Sequence, residues 1–366
     1  MYTKNGQRTR YSPIGIDIGA RSINVVQLAA SSGELYIHDA DIMTLPDEKV
    51  IEENMMADLV SSVIKRNNFK GKDVVSRLSP SLVNILPVKV SQREGETEEQ
   101  AILREAKEYI PYPLEEAVID YLPVSNITQG SDESKRFLLI FAKRSDIMNH
   151  INMYKKIGFK VDAIDVGPNA INRAIKRFRK PSENRVLVIN IGDINSFSTI
   201  LWDDMLLIDR KMGWGEDNII EKIVTNLDLD INEARRVMYR YGIDYSSTPR
   251  IFLDEAESMM PDNDIPAHIY EIVAPGLEDL SKEIEKILIY CTSEMKGAMI
   301  DQIYLIGSGG LVKHLNVYLQ KTFGIGVRPF EPEGIFKQTL DVKNIVKENF
   351  PIFIISIGLA LRGYNA

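Results

Sequence analysis

The amino-acid sequence predicts a two-lobed α/β protein built by duplication, with a small α+β insert in its first lobe. Three observations point there. The chain has 366 residues, more than one hydrophobic core usually serves, so two lobes are expected. The segment Ile16-Asp17-Ile18-Gly19 returns later as Ile189-Asn190-Ile191-Gly192, and each copy ends an apolar strand at a glycine turn before a second strand begins. Between the copies the pattern changes character after Ser79-Pro80 and turns polar and acidic over residues 92–99.

The elements follow in order. Residues 14–18 read as an apolar strand broken at Gly19, and 24–30 and 35–42 as two more strands around Ser31-Ser32-Gly33. Met56, Leu59, Val60 and Val63 have helical spacing, and Asn67-Asn68 closes that helix. A strand at 83–90 precedes a helix through Ala101, Ile102, Ala106 and Tyr109, which Pro111 and Pro113 stop. Strands at 118–124 and 137–142 flank a polar turn at 128–135; a helix at 146–157 and a strand at 160–165 complete the insert. Residues 168–178 return to helix, and 185–191 open the second lobe. Helices follow through Ile219 to Leu227, through 231–241, and through Leu277 to Leu288. Residues 303–306 form a buried strand ending in glycines, and a last helix at 353–361 packs back on the first lobe.

Composition narrows the function. A 44% hydrophobic and 26% charged chain is ordinary for a globular protein. Its net charge of −8 offers no extended basic surface for nucleic acid. The single cysteine, Cys291, forms no internal disulfide and falls on an apolar helix face, as a structural thiol does. His38, His150, His268 and His314 have no metal-ligand spacing. The N-terminal residues lack the apolar core of a secretory signal, and the longest apolar run, 350–361, is too short to span a bilayer. The expected location is cytoplasmic.

The repeated hairpin suits phosphate. A glycine turn lets backbone N–H groups approach phosphate oxygens, and a carboxylate just before it can hold a Mg²⁺-bound water. Asp17, Gly19, Ala20, Arg21 and Ser22 form the first candidate turn; Asn190, Gly192, Asp193 and Asn195 form the second. Gly307, Ser308, Gly309 and Gly310 after a buried strand present side-chain-free backbone to a base or ribose, and Gly215 and Glu216 border the same site. The ligand expected between the lobes is ATP or ADP, with Asp17 on Mg²⁺ through water.

This order of phosphate, phosphate and adenosine elements resembles the actin-like ATPases, an α/β ribonuclease H-like fold in duplicate shared by actin, Hsp70, FtsA and sugar kinases. A narrower likeness lies in the insert. The run Glu105-Ala106-Lys107-Glu108-Tyr109-Ile110-Pro111-Tyr112-Pro113-Leu114-Glu115-Glu116-Ala117-Val118-Ile119-Asp120-Tyr121 looks like the signature of the PilM family of type IV pilus assembly proteins. Gly15-Ile16-Asp17-Ile18-Gly19 and Ile357-Gly358-Leu359-Ala360-Leu361-Arg362 look like that family too. The resemblance implies an FtsA-like division: 13–81, 166–184 and 345–366 as subdomain 1A; 82–165 as insert 1C; 185–215 and 301–344 as 2A; 216–300 as 2B. It also implies peripheral association with the inner membrane through a PilN-like bitopic partner, whose N-terminal cytoplasmic peptide such proteins hold. Strands 83–90 and 137–142 are expected to supply the edge or floor of that groove.

Three departures from the family stand out. Asn24 occupies a place where the family usually has lysine, and Asn190 one where it has aspartate. The helix motif Glu233-Ala234-Arg235-Arg236-Val237-Met238 puts Arg235 and Met238 where a glutamate and a lysine are expected near the ribose. Fewer charges at the phosphates predict very slow or absent hydrolysis. A small-molecule kinase of the same fold would need a base for its acceptor hydroxyl, and no residue qualifies from sequence. A scaffold that has lost nucleotide, or an FtsA-like filament former, are the other readings.

Overall fold

The computed structural model describes residues 9–31, 33–46, 51–124, 135–243, 265–295, 297–331 and 348–363. The expected polar turn at 128–135 lies, but for its last residue, outside them. The chain forms two compact units: Met1–Asn184 with Thr199–Asp209 and Glu331–Ala366, and Arg185–Ser198 with Arg210–Phe330.

In the first unit, β1 (Arg10–Tyr11), β2 (Ile14–Ile18), β3 (Ser22–Ser31) and β4 (Glu34–Thr44) are followed by α1 (Glu53–Lys65) and β5 (Asp73–Arg77). β2 and β3 pair antiparallel, with Asp17 opposite Asn24, and β3 continues into a long hairpin with β4. β5 lies parallel on the other side of β2, with Ile16 opposite Ser76. α1 turns Ala57, Val60, Val63 and Ile64 onto Ile14, Ile16, Ile23, Val25 and Val74 of the sheet. This apolar stripe at helical spacing is what makes the segment a helix in place.

The insert is a separate three-stranded sheet. β6 (Val83–Val90) and β7 (Ala117–Pro123) flank β8 (Lys135–Lys143), both antiparallel to it. α2 (Glu98–Ala106) starts at a capping box between Thr97 and Gln100 and brings Ala101, Ile102 and Ala106 onto Val88, Phe137, Leu139 and Phe141. Since β8 is paired on both sides, it serves as a floor and cannot be an edge; β6 and β7 are the edges.

The insert expected at 82–165 ends earlier. Beyond β8, α3 (Arg144–Lys156) buries Met153 and Tyr154 in the core that contains α1, and β9 (Lys160–Asp165) pairs parallel with β5. The large sheet thus gains its outer strand from a stretch that reads, in sequence, as part of the insert. α4 (Gly167–Phe178) follows, with Ala170, Ile171, Ala174 and Ile175 buried.

β10 (Arg185–Ile191), β11 (Ser196–Trp202) and β12 (Met205–Met212) form one sheet with β13 (Gln302–Gly307) and β14 (Val327–Pro329), all of it in the second unit but Thr199–Asp209. Its order β12-β11-β10-β13-β14 repeats the order β4-β3-β2-β5-β9 of the first unit. α5 (Asp217–Leu227), α6 (Ile231–Tyr241), α7 (Ile265–Glu294) and α8 (Leu315–Phe323) complete it. α7 is longer than its apolar spacing suggests and contains Pro275. The Trp214 indole N–H donates to the neighbouring Gly276 carbonyl at 2.8 Å. Cys291 is 2% exposed, and burial pushes its thiol up to about 12, as a structural role requires.

The last helix, α9 (Ile354–Ala360), packs on β2 and α4. Gly15 and Gly358 permit this: a Cβ on the first would run into the Ser356 carbonyl oxygen, and one on the second into that of Ala170. Asp165, almost wholly buried, accepts from Arg173 and pairs with Arg362 at 3.1 Å, tying the chain's last helical turn to the end of β9. Among the described residues no helix is long and apolar enough to cross a membrane.

Candidate functional site

Each glycine turn closes the end of a buried strand, where ligands bind in α/β sheets. In the first unit the Gly19 N–H donates to the Ser22 carbonyl at 2.8 Å, and the Leu45 N–H donates to that of Arg21. Ala20 is exposed and Arg21 and Ser22 are half-buried. Asp17, one residue into the strand, is 4% exposed, and its carboxylate accepts from the Arg77 Nε. Arg77 ends β5, and the β2–β5 register sets it beside Asp17. Behind them Ser76 and Tyr154 share a hydrogen bond of 2.8 Å, and burial pushes the Tyr154 phenol above its ordinary range. Asn24, across the ladder from Asp17, keeps a buried Oδ1 that meets no hydrogen-bond donor among the described residues. Asp209 is pushed up to about 6 by burial, against the Thr199 hydroxyl at 2.7 Å and the positive charge of Arg77.

In the second unit, β10 and β13 run parallel with Asn190 opposite Ile306 and Ile191 opposite Gly307, so the two glycine segments stand side by side. Gly307 has φ +77°, and a Cβ there would lie 2.6 Å from the Asn190 Oδ1 and run into the Ile191 carbonyl oxygen. Only glycine fits. Gly215 seats against the backbone of Asp193 and Ile194 in the same way. The Glu216 and Asp217 N–H groups, opening α5, donate to the carbonyls of Gly192 and Asp193 at 2.9 and 2.8 Å. The turn and the helix start are therefore one rigid piece, with Gly192, Asp193 and Asn195 half-buried on it.

Glu216 is fully buried, and both its oxygens accept from the Tyr239 hydroxyl, at 2.8 and 2.7 Å. Burial, helped by the charge of Asp193, pushes its carboxyl up to about 7, against the Tyr239 and Ser308 hydroxyls and the charge of Arg235. Arg235 pairs with Asp217 at 2.5 Å. Its charge is thus committed inside the protein.

The sequence-predicted residues fall into two sets. Asp17, Gly19, Ala20, Arg21 and Ser22 stand together in the first unit. Asn190, Gly192, Asp193, Asn195, Gly215, Glu216, Arg235 and Gly307 through Gly310 stand together in the second. Glu216 lies inside, beneath the turn it was expected to border. Sequence reading missed Arg77, Tyr239 and Asp217. For Arg77 a signal existed, a cation two residues after the apolar pair Val74-Val75 and two before Ser79-Pro80; for Tyr239 there was none.

Mg²⁺ at Asp17 does not fit these residues. A guanidinium already neutralises the carboxylate inside a site where Asp17 and Arg77 side chains are 6% and 9% exposed. A second, divalent cation there would meet its repulsion at low effective dielectric. Among the described residues no group of three or more acidic, histidine or cysteine side chains is placed to hold a metal ion.

A solved structure described as a PilM–PilN type IV pilus biogenesis complex is similar to this chain, with a TM-score of 0.75 and 21% identity over 97% of this chain and 99% of that one. The ethanolamine utilization protein EutJ from Carboxydothermus hydrogenoformans is similar at a TM-score of 0.56 and 11% identity, over 97% and 90%. These likenesses show the fold, the actin-like α/β fold expected from the repeated hairpin. A family model described as type IV pilus assembly protein PilM matches residues 15–364, a span that takes in every element from β2 to α9. The chain belongs to that family.

Proposed function

We propose that this chain is an adaptor of a type IV pilus assembly platform, holding the cytoplasmic peptide of a PilN-like membrane protein beside its insert and binding ATP or ADP at its glycine turns. The match to the PilM family over residues 15–364 carries the reading. The insert supports it with a sheet edge at β6 that is unpaired among the described residues, the strand form that an extended peptide augments, beside the central strand β8. Leu82 and Met148, on the elements flanking the insert sheet, are 41% and 48% exposed. Peripheral attachment at the inner face of the membrane then comes from the partner.

The test is fluorescence polarisation of the N-terminal cytoplasmic peptide of a PilN-like protein. Proline at the exposed β6 position Lys89 removes an N–H on the side away from β8. Loss of binding with unchanged melting locates the peptide on β6; intact binding moves it off this edge.

For the nucleotide, backbone N–H groups of the turns cradle the phosphates, and Gly307 with the 3-10 turn that opens at Ser308 meets the nucleoside. Saturation at a hundred times the dissociation constant should stabilise the protein by about 2.7 kcal/mol. Turnover is slow because the second turn carries the uncharged Asn190, and the nearest buried carboxylate, Glu216, is held by Tyr239. Phosphate release should fall well below the roughly 1–100 per second of efficient phosphoryl-transfer enzymes. A faster single-turnover rate contradicts this.

A further inference from the structure

We propose that Arg77 takes the place of a divalent cation at the first glycine turn: its guanidinium contacts nucleotide phosphate directly, and the chain binds ADP or ATP without Mg²⁺. This rests on the nucleotide reading above and sharpens it.

The argument begins with position. Arg77 is the last residue of β5, and β5 runs parallel to β2, whose end forms the Asp17 to Ser22 turn. The carboxyl ends of neighbouring parallel strands are where an α/β sheet meets its ligand. A buried arginine there is expensive unless it is paired and has a task.

Its pairing leaves the working end of the side chain over. Nε donates to Asp17, and this is the one hydrogen bond that Arg77 makes among the described residues. The two terminal nitrogens have no hydrogen-bond partner among the described residues, yet they are not among the buried orphaned atoms, so they share the 9% of the side chain that stays accessible. Four N–H donors are thus held still by a buried ion pair and left over for a ligand. That fork is the geometry that meets phosphate oxygens bidentately. The Nε–carboxylate bond fixes the fork's plane before ligand arrives, so little rotamer freedom is lost on binding.

Charge follows the same pattern. Asp17 and Asp209 are the acidic groups whose charge Arg77 meets. A cation in company with two carboxylates and a phosphate is the usual arrangement of a metal-nucleotide site. Here the cation is covalently part of the chain. The sequence expectation placed the positive charge on a metal held by Asp17; the structure assigns it to a side chain.

The experiment is thermal melting and titration calorimetry of the full chain with ADP and with ATP, each in excess EDTA and in excess Mg²⁺. The expected result is binding in EDTA with an affinity within about twofold of that in Mg²⁺. Arg77→Gln should weaken it about tenfold or more, the loss of hydrogen bonds from a charged donor. Should Arg77→Gln fail to fold without ligand, Arg77→Lys keeps the charge, loses the fork and should show an intermediate loss. Binding that appears only with Mg²⁺, or that survives Arg77→Gln and Arg77→Lys unchanged, overturns this inference and leaves the nucleotide reading standing. No binding in either condition overturns both.

Discussion

The two halves of this chain share a strand order and differ in what stands behind each glycine turn. In the first unit a buried ion pair, Asp17 with Arg77, lies one residue inside the turn. In the second, the corresponding strand residue is the uncharged Asn190, and the turn leans on a helix start whose buried acid, Glu216, is held by a tyrosine. The backbone frame has been kept through duplication while the charges have parted. Backbone geometry at such a turn is fixed by glycine and by packing, and those tolerate little change. The side chains around it are free to diverge.

The comparison breaks most visibly at Arg77. Arg77→Met leaves the Asp17 carboxylate buried without its partner and should cost about 3–5 kcal/mol in urea unfolding. Asn190→Ala should cost less than about 1.5 kcal/mol, the size of a single net hydrogen bond, because it leaves no buried charge behind. The double change Asp17→Asn with Arg77→Met should recover most of the first loss. Equal costs for the two single changes would erase the distinction.

A pH series sharpens the second unit. Glu216 has a folded value raised to about 7 from the ordinary 4.5. A raised carboxyl holds a proton in the native state that the unfolded chain has released, so its contribution is fully present below about pH 4.5 and is lost as pH rises through about 7. On the order of 3 kcal/mol should disappear across that window, and Glu216→Gln should flatten the slope. Asp209, raised to about 6, adds a smaller slope of the same sign, which Asp209→Asn removes.

Gly307→Ala places a Cβ against Ile191 at a positive φ and should cost about 2 kcal/mol or more. The smallest effect is expected at Asp230, whose side chain caps α6 by accepting from the Asn232 and Glu233 N–H groups. Asp230→Ala should cost about 1 kcal/mol.

What was legible in the sequence was local. A glycine ending an apolar strand announces its own turn, and two such turns in one long chain announce a duplication. The insert showed itself through its prolines and its change of polarity. Pairing over distance was not legible. β9 looks like a continuation of the insert because nothing in Lys160–Asp165 says which sheet it joins; its parallel register with β5 decides that. Arg77 and Asp17 are brought together by strand pairing alone, so Asp17 read as a free carboxylate awaiting a metal. Glu216 was expected to border the second turn; its burial beneath Tyr239 depends on how α6 lies on α5. The apolar spacing marks α7 only from Leu277 on, and the helix begins earlier and runs through Pro275.

The most direct test of the account is titration calorimetry of ATP into the full chain and into Gly192→Val, whose Cβ would lie 2.8 Å from the Asn195 carbonyl oxygen. If the duplicated turns are phosphate cradles, the unaltered chain takes up ATP saturably, and Gly192→Val, folded by circular dichroism, binds it weakly or not at all. No heat from the unaltered chain at millimolar ATP, or equal binding by the variant, would contradict the assignment of these turns.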